Sequence, residues 1–343
     1  VRLVVQIPCL NEEDTLPLVL ESIPKEIPGI DDIIVLIVDD GCSDRTVEVA
    51  RSYGVTEFVH HARNQGLGRS FRDGVVRALE LGADIVVNTD GDNQYPQDRI
   101  TDLVQPIVRG EADIVIADRQ VHKVDHFSPL KKQLQKVGSG VVNRAAGTKL
   151  PDAASGFRAY SRESLMVLNT ITRFSYCMET IIQAGNKNMK IASIPVETNA
   201  KTRESRLFKS MPEHIAKSAA AIIRSFMMYR PYVIFAWLTM FFGVLGMIPF
   251  VRYAVLMVTD SASGHIQSLL LGSLLMILAF MSLMLGIIAD LIRTNRILIE
   301  DNLEHTKKAR FGKSGTELLR DQTSQPHFDW PREHPGLPTR PVS

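Results

Sequence analysis

The chain has 343 residues, with 39 lysines and arginines against 38 aspartates and glutamates, a formal net charge of +1. That balance excludes a strongly basic nucleic-acid binder, and the length accommodates one large α/β domain plus a smaller unit. The three cysteines, Cys9, Cys42 and Cys177, are odd in number and far apart, which excludes a disulfide framework or a metal-binding cysteine spacing.

The opening VRLVVQIP has no basic segment ahead of an apolar run, so no cleavable signal is expected and the first half should stay on the side where it is made. RLVVQI reads as a strand ended by Pro8. From Asn11, NEEDTLPLVLESI supplies an N-cap, early acids and an apolar face at helical spacing. DIIVLIV is apolar throughout, as a strand buried on both faces requires, and ends in Asp39 and Asp40. Ser43 or Asp44 can cap the helix that follows. FVHHARN reads as a third strand, GLGRSFRDGVVRALELG as a turn and helix, and ADIVVNTD as a fourth strand. After a helix near DRITDLVQPIVRG, ADIVIADRQ reads as a fifth.

This alternation predicts an α/β fold with an open, mainly parallel sheet, in which ligands bind beyond the carboxyl ends of the strands. Polar clusters fall at those ends: residues 8–12, 39–44, 64–68 and 90–94, then Asp118 with Arg119. In TDGDNQYP, Asp90 and Asp92 leave a buried strand one residue apart. Two such carboxylates can converge on a hard divalent cation, and Gln94 adds a neutral oxygen. The structural alternative is that Asp92 or Asn93 caps the helix after Pro96.

Residues 231–251 and 266–289 carry no charge, and each run is long enough to cross a membrane as a helix. Basic residues lie before the first run (Arg224, Arg230) and after the second (Arg293, Arg296), while the connection has only Arg252 and Asp260 as clear charges. That asymmetry predicts an integral membrane protein with both termini and the catalytic domain cytosolic. Residues 211–230 place Ile215, Ala219, Ile222 and Phe226 at helical spacing among basic residues. They read as an interfacial helix, with a core-packing helix as the alternative. The expected division is therefore a globular domain over 1–210, an interfacial helix over 211–230, two spans over 231–290 and a partly disordered cytosolic tail over 291–343.

VQIPCLNEED, IVDDGCSDRT, NQGLGRS, TDGDNQYP and SGFRAYSRE resemble the motifs of family 2 glycosyltransferases with the GT-A fold. With two C-terminal spans, the chain is most similar to polyprenyl-phosphate glycosyltransferases of the dolichol-phosphate mannose synthase type. The resemblance covers about residues 2–210 in motif order, and TDGDNQYP and SGFR are its most specific parts. It implies that Pro8, Glu12 and Asp39 hold the nucleoside of a nucleotide-sugar donor, with Asn11, Asp40 and Gly68 as further contacts at the same strand tips. Asp90, Asp92 and Gln94 would bind Mg²⁺ or Mn²⁺ against the donor diphosphate. Arg119 would face the acceptor phosphate, with Arg158 a second arginine of the site and Asp152 a group that orients or acts as a base. In TRESRLFKS, Arg203, Ser205 and Arg206 resemble a segment near the donor phosphates, Arg206 standing where lysine is more familiar. Cys42 stands where serine is common and Leu10 where an aromatic is common.

The activity so implied is transfer of a sugar from a nucleotide to a polyprenyl phosphate at the cytosolic face of a plasma or endoplasmic-reticulum membrane, with inversion. The partners would be the donor, the lipid acceptor and the bilayer, and self-association is compatible with this reading. A processive polysaccharide synthase is one alternative, but such enzymes resemble each other in a Gln-x-x-Arg-Trp element that this sequence lacks. A membrane scaffold that binds nucleotides or phospholipids is the non-enzymatic alternative.

Overall fold

The computed structural model describes residues 1–120, 129–170, 176–199, 231–258 and 266–312. Two units are distinguished, one formed by 1–218 with 304–343 and the other by 219–303.

In the first unit, β1 (Arg2–Cys9), α1 (Leu16–Ser22), β2 (Asp32–Asp39), α2 (Thr46–Ser52), β3 (Glu57–His60), α3 (Leu67–Glu80) and β4 (Ile85–Asn88) alternate as the sequence predicts. A single 3₁₀ turn (Gln97–Arg99) leads into α4 (Ile100–Val108), followed by β5 (Ile114–Asp118) and α5 (Pro129–Ala146). Then come β6 (Arg158–Ser161), α6 (Arg162–Val167), α7 (Cys177–Asn186) and β7 (Ile191–Pro195). The strands form one sheet in the order β3-β2-β1-β4-β6-β5-β7. Only β6 is antiparallel to its neighbours β4 and β5, so the expected mainly parallel sheet is present with two strands beyond the five anticipated.

The central strands are rich in Val and Ile, whose branched side chains suit a pleated surface covered on both faces. Leu3, Val5, Ile7, Ile37, Val87 and Val115 are fully buried in one core cluster; each such side chain contributes about 1.5–3 kcal/mol relative to exposure. Chain entry into the first helix differs from the expectation. Asn11 lies in the left-handed region (φ 58°), and its Oδ1 accepts the Ser43 N–H at 2.8 Å instead of capping a helix. The helix therefore starts only at Leu16. Asp44 does serve the next helix start, its Oδ1 accepting the Thr46 N–H at 3.0 Å.

The second unit contains α8 (Pro231–Val258) and most of α9 (Ile266–Phe311). Both are long and apolar enough to cross a membrane, and only 6% and 17% of their most apolar windows are buried. That exposure separates them from core helices of a soluble domain. They approach closely through small residues: a Cβ on Gly246 would lie 3.1 Å from both Leu275 Cβ and Met276 N, and one on Gly272 would lie 3.1 Å from Gly246 O. Gly246→Leu is expected to destabilise this pairing by about 1–3 kcal/mol through overpacking. It should bring an earlier loss of helical circular dichroism on heating in detergent. Gly140→Leu is the control, because a Cβ there meets nothing within 4 Å.

The last turns of α9 belong to the first unit. Glu304 pairs with Lys187 at 3.0 Å, Arg310 with Glu80 at 2.7 Å, and Lys307 Nζ donates to Leu168 O at 2.6 Å. The helix thus continues through the expected boundary at 290 to Phe311. The interfacial helix expected over 211–230 lies outside the described residues.

Candidate active site

The parallel strands β1, β2 and β4 end on the same edge of the sheet, and their tips are cross-linked by side chains. Thr15 Oγ1 lies 2.9 Å from Glu12 Oε2 and 2.8 Å from Gly91 O, so the β1 tip grips the β4 tip. A Cβ on Gly91 would lie 3.1 Å from Cys9 Sγ and 3.2 Å from Glu12 Cγ, which is why the residue between the two aspartates is glycine. Pro8 sits in register with Val38, and Glu12 is buried with its N–H donated to Thr46 Oγ1 at 2.8 Å.

At the β2 tip the two aspartates diverge in role. Asp39 Oδ1 accepts the Cys42 N–H at 2.7 Å, and Oδ2 faces His60 Nδ1 at 3.0 Å. Burial pushes the Asp39 carboxyl up, but the Cys42 N–H and His60 outweigh it and hold the group below its usual range. Asp40 is turned into the protein. It accepts the N–H groups of Gln65 and Gly66 at 2.8 and 2.9 Å and meets His61 Nδ1 at 2.8 Å. It therefore shapes the loop into α3, whose first turn contains the buried Gly68, and does not present a free carboxylate to a donor.

Burial, with Asp39 adding to it, pushes the Cys42 thiol up to about 12 against the N–H of Asn11. At pH 8 its alkylation by a maleimide should run about 10³-fold slower than that of a free cysteine, because only the thiolate reacts. Mass spectrometry of the labelled protein checks this.

The β4 tip carries Asp90 and Asp92. Asp92 Oδ1 accepts the Gln94 N–H at 3.0 Å. The 3₁₀ turn starts after Pro96 with no side-chain cap, so neither Asp92 nor Asn93 serves as the helix cap. Gln94 binds through its backbone, its O accepting from Asn199 N at 3.0 Å. The loop before β6 runs directly against Asp90: a Cβ on Gly156 would lie 3.3 Å from an Asp90 carboxylate oxygen and 3.3 Å from Tyr176 Oη. That glycine is clamped on both sides. Its N–H donates to Tyr95 Oη at 3.1 Å, and its O accepts from Tyr176 Oη at 2.9 Å and Asn88 Nδ2 at 3.2 Å. Burial pushes the Tyr95 and Tyr176 phenols up, so both remain neutral hydrogen-bonding groups.

At the β5 tip, Arg119 makes a bidentate pair with Asp152, Nε to Oδ2 at 2.6 Å and Nη2 to Oδ1 at 3.0 Å. Burial pushes Asp152 up, yet the Arg119 charge outweighs it and keeps the carboxylate below its usual range. Asp152 is thus committed to Arg119 and also accepts the Ala154 N–H at 3.1 Å. Of the two roles the resemblance implies, orienting a group or acting as a base, this geometry suits the first.

Arg158 departs further from expectation. It is fully buried and donates to Ser155 O at 2.7 Å, Cys177 O at 2.8 Å, Ala153 O at 2.9 Å and Thr180 Oγ1 at 3.0 Å. Its fork is spent on tying the loop that carries Gly156 to the first turn of α7, so it supports the site from beneath instead of facing a substrate.

His60, Asn88, Tyr95 and Tyr176 were missed by sequence reasoning; only Asn88, a polar residue within a buried strand, carried a usable signal. Arg203, Ser205 and Arg206 lie outside the described residues.

The β4 tip offers two hard carboxylates, and no group of three or more His, Cys, Asp or Glu placed to hold a metal ion occurs among the described residues. This fits a cation that takes one or two carboxylates and completes its shell with substrate phosphates and water, as Mg²⁺ does.

The family model described as glycosyl transferase family 2 matches residues 4–168. A UDP-N-acetylglucosamine–dolichyl-phosphate N-acetylglucosaminyltransferase of Methanococcus voltae is 29% identical over 213 residues, 56% of this chain and 83% of the relative. An undecaprenyl-phosphate mannosyltransferase of Micrococcus luteus is 29% identical over 205 residues, 57% of this chain and 82% of that one. Among solved structures, the glucosyl-3-phosphoglycerate synthase of Mycobacterium tuberculosis in complex with Mn²⁺, UDP and glucosyl-3-phosphoglycerate aligns with a TM-score of 0.50 at 20% identity, covering 65% of this chain and 78% of the other. The chain belongs to glycosyl transferase family 2, has the GT-A fold and is a glycosyltransferase.

Proposed function

We propose that the protein transfers a sugar from a nucleotide-sugar donor to the phosphate of a polyprenyl lipid at the cytosolic membrane surface. The observation that carries this reading is the convergence of two loops on the TDGD turn: the β1 tip, through Thr15 and Glu12 against Gly91, and the Gly156 loop against Asp90. Relatives whose names specify dolichyl and undecaprenyl phosphate support the acceptor, and two exposed apolar helices suit an enzyme working on a membrane lipid. Uncharged runs flanked by basic residues support a hairpin with both termini cytosolic.

Asp90 and Asp92, with Gln94 as a neutral oxygen donor, would hold Mg²⁺ or Mn²⁺, which when bound supplies positive charge against the donor diphosphate. Glu12, against the turn, and Asp39, at the β2 tip, would receive the nucleoside. An acceptor phosphate monoester, with a second pKa near about 6, is largely ionised at neutral pH and needs no strong base. Its oxygen forms the new bond to the anomeric carbon, while the carbon–oxygen bond to the diphosphate breaks and its electron pair leaves with the nucleoside diphosphate. One displacement of this kind inverts the anomeric carbon. Asp152 takes the Nε–Nη2 edge of Arg119, and the remaining N–H groups of the guanidinium would meet the acceptor phosphate. A guanidinium fixed in this way reduces the cost of bringing two anions together.

The test is incubation of membranes containing the protein with a panel of radiolabelled nucleotide sugars, polyprenyl phosphate and Mn²⁺, followed by lipid extraction. Label in an acid-labile lipid fraction is the expected result. Label only in high polymer, or no turnover of any donor, would overturn the proposal.

A further inference from the structure

Helix α9 has 46 residues, about 69 Å at 1.5 Å per residue, roughly twice the hydrocarbon thickness of a bilayer. Its uncharged portion ends at Ala289, and Asp290, Arg293, Arg296, Glu300 and Asp301 follow. On the membrane reading above, on which this inference rests, the stretch 291–303 therefore stands clear of the lipid tails. Apolar residues there are nonetheless open: Leu291 is 61% exposed, Ile292 64%, Leu298 57% and Ile299 60%.

Two of these, Leu291 and Leu298, fall on a heptad, with Ile292 and Ile299 flanking it at e. Leu291, Asn295, Leu298 and Asn302 are spaced four, three and four residues apart, which assigns leucine to d positions and asparagine to a positions. The register extends back through Ile288 and Met284. The opposite side of the helix carries Arg293 and the Arg296–Glu300 pair, 2.6 Å apart, so the charges face away from the stripe. The face against α8 is a different one, formed by Gly272, Leu275, Met276 and Ala279.

We propose that this stripe is the seam of a parallel pairing between α9 and α9 of a second copy of the chain. Copies inserted in one membrane share an orientation, so identical residues meet at identical depth. The Asn295 amide carries both donors and an acceptor and can bond its own counterpart. Ile288 at a with leucine at d favours two parallel strands, and asparagine at the following a positions fixes register at some cost in stability. Because Arg293, Arg296 and Glu300 lie on the far side of the helix, pairing brings none of them to the seam.

The experiment uses the full chain in native membranes. Under mild oxidation, Asn295→Cys and Leu298→Cys should each give a disulfide-linked dimer, while Ile297→Cys, off the seam, and the parent protein should not. Equal cross-linking at 297, or none at 295 and 298, would overturn the pairing. In detergent, Leu291→Glu combined with Leu298→Glu should halve the particle mass without loss of sugar transfer; an unchanged mass would also overturn it. Retention of the chain by membranes washed in alkaline carbonate is measured in parallel. A chain that is retained but monomeric would sink this proposal alone, whereas a chain released by the wash would overturn the membrane reading with it.

Discussion

Asp92→Asn is expected to lower the turnover number for sugar transfer by about 10²–10³-fold, the range seen when one preorganised group that stabilises developing charge is removed. Asparagine keeps the shape of the side chain and an oxygen that can accept the Gln94 N–H, the 3.0 Å bond that holds the turn. What is lost is one negative charge from a two-carboxylate donor set. Hard divalent cations prefer charged oxygen ligands, so neutralising one of two weakens the site without unfolding the loop. Steady-state kinetics with saturating metal, alongside a thermal melt, separates the two effects. A melting temperature within about 2 °C of the parent is expected, since surface changes away from packed features cost under about 0.5 kcal/mol. A turnover number within threefold of the parent would contradict the role assigned to Asp92.

Arg158→Met should cost stability first and activity second. Methionine fills a similar volume but leaves Ala153 O and Ser155 O without the donors they now have, while Cys177 O keeps the Thr180 hydroxyl. Each buried acceptor left unsatisfied costs about 1–3 kcal/mol, and partial relaxation brings the expected total to about 3–5 kcal/mol. For a domain of this size that is a fall of about 10 °C in melting temperature. Arg158→Lys should rescue little, because a single ammonium cannot reproduce a planar fork that reaches carbonyls on three sides. A substrate-facing arginine would behave oppositely, losing turnover at unchanged melting temperature. The two measurements on one variant therefore decide between support and direct contact.

Much of the fold is written in periodicity. The runs around Val4, Ile37 and Val86 are apolar at every position, as strands covered on both faces must be. The turn proposed to bind metal stands out for a related reason: carboxylates at the end of such a strand have no packing role to explain them. The short strands β6 and β7 were less visible. RAYS is a four-residue antiparallel insertion within a motif that reads as a ligand site, and IASIP is only half buried. Individual side-chain roles were the hardest to read. Arg158 looks like an anion ligand in sequence because its partners are backbone carbonyls, which carry no sequence signature. Asp40 looks like a twin of Asp39, yet alternation along the chain turns it to the other face of the sheet, where it closes the loop into α3. Asn11 has the composition of an N-cap, but a left-handed backbone diverts its side chain to Ser43.

The most direct test of the central claim is intact-mass analysis of the lipid product made by the purified protein from a nucleotide sugar and polyprenyl phosphate. The expected product is the polyprenyl phosphate heavier by one glycosyl residue, formed with one nucleoside diphosphate released per lipid, and it should disappear when the phosphate-free polyprenol is supplied instead. Release of nucleoside diphosphate with no change in lipid mass, or equal glycosylation of the free polyprenol, would contradict a lipid-phosphate acceptor.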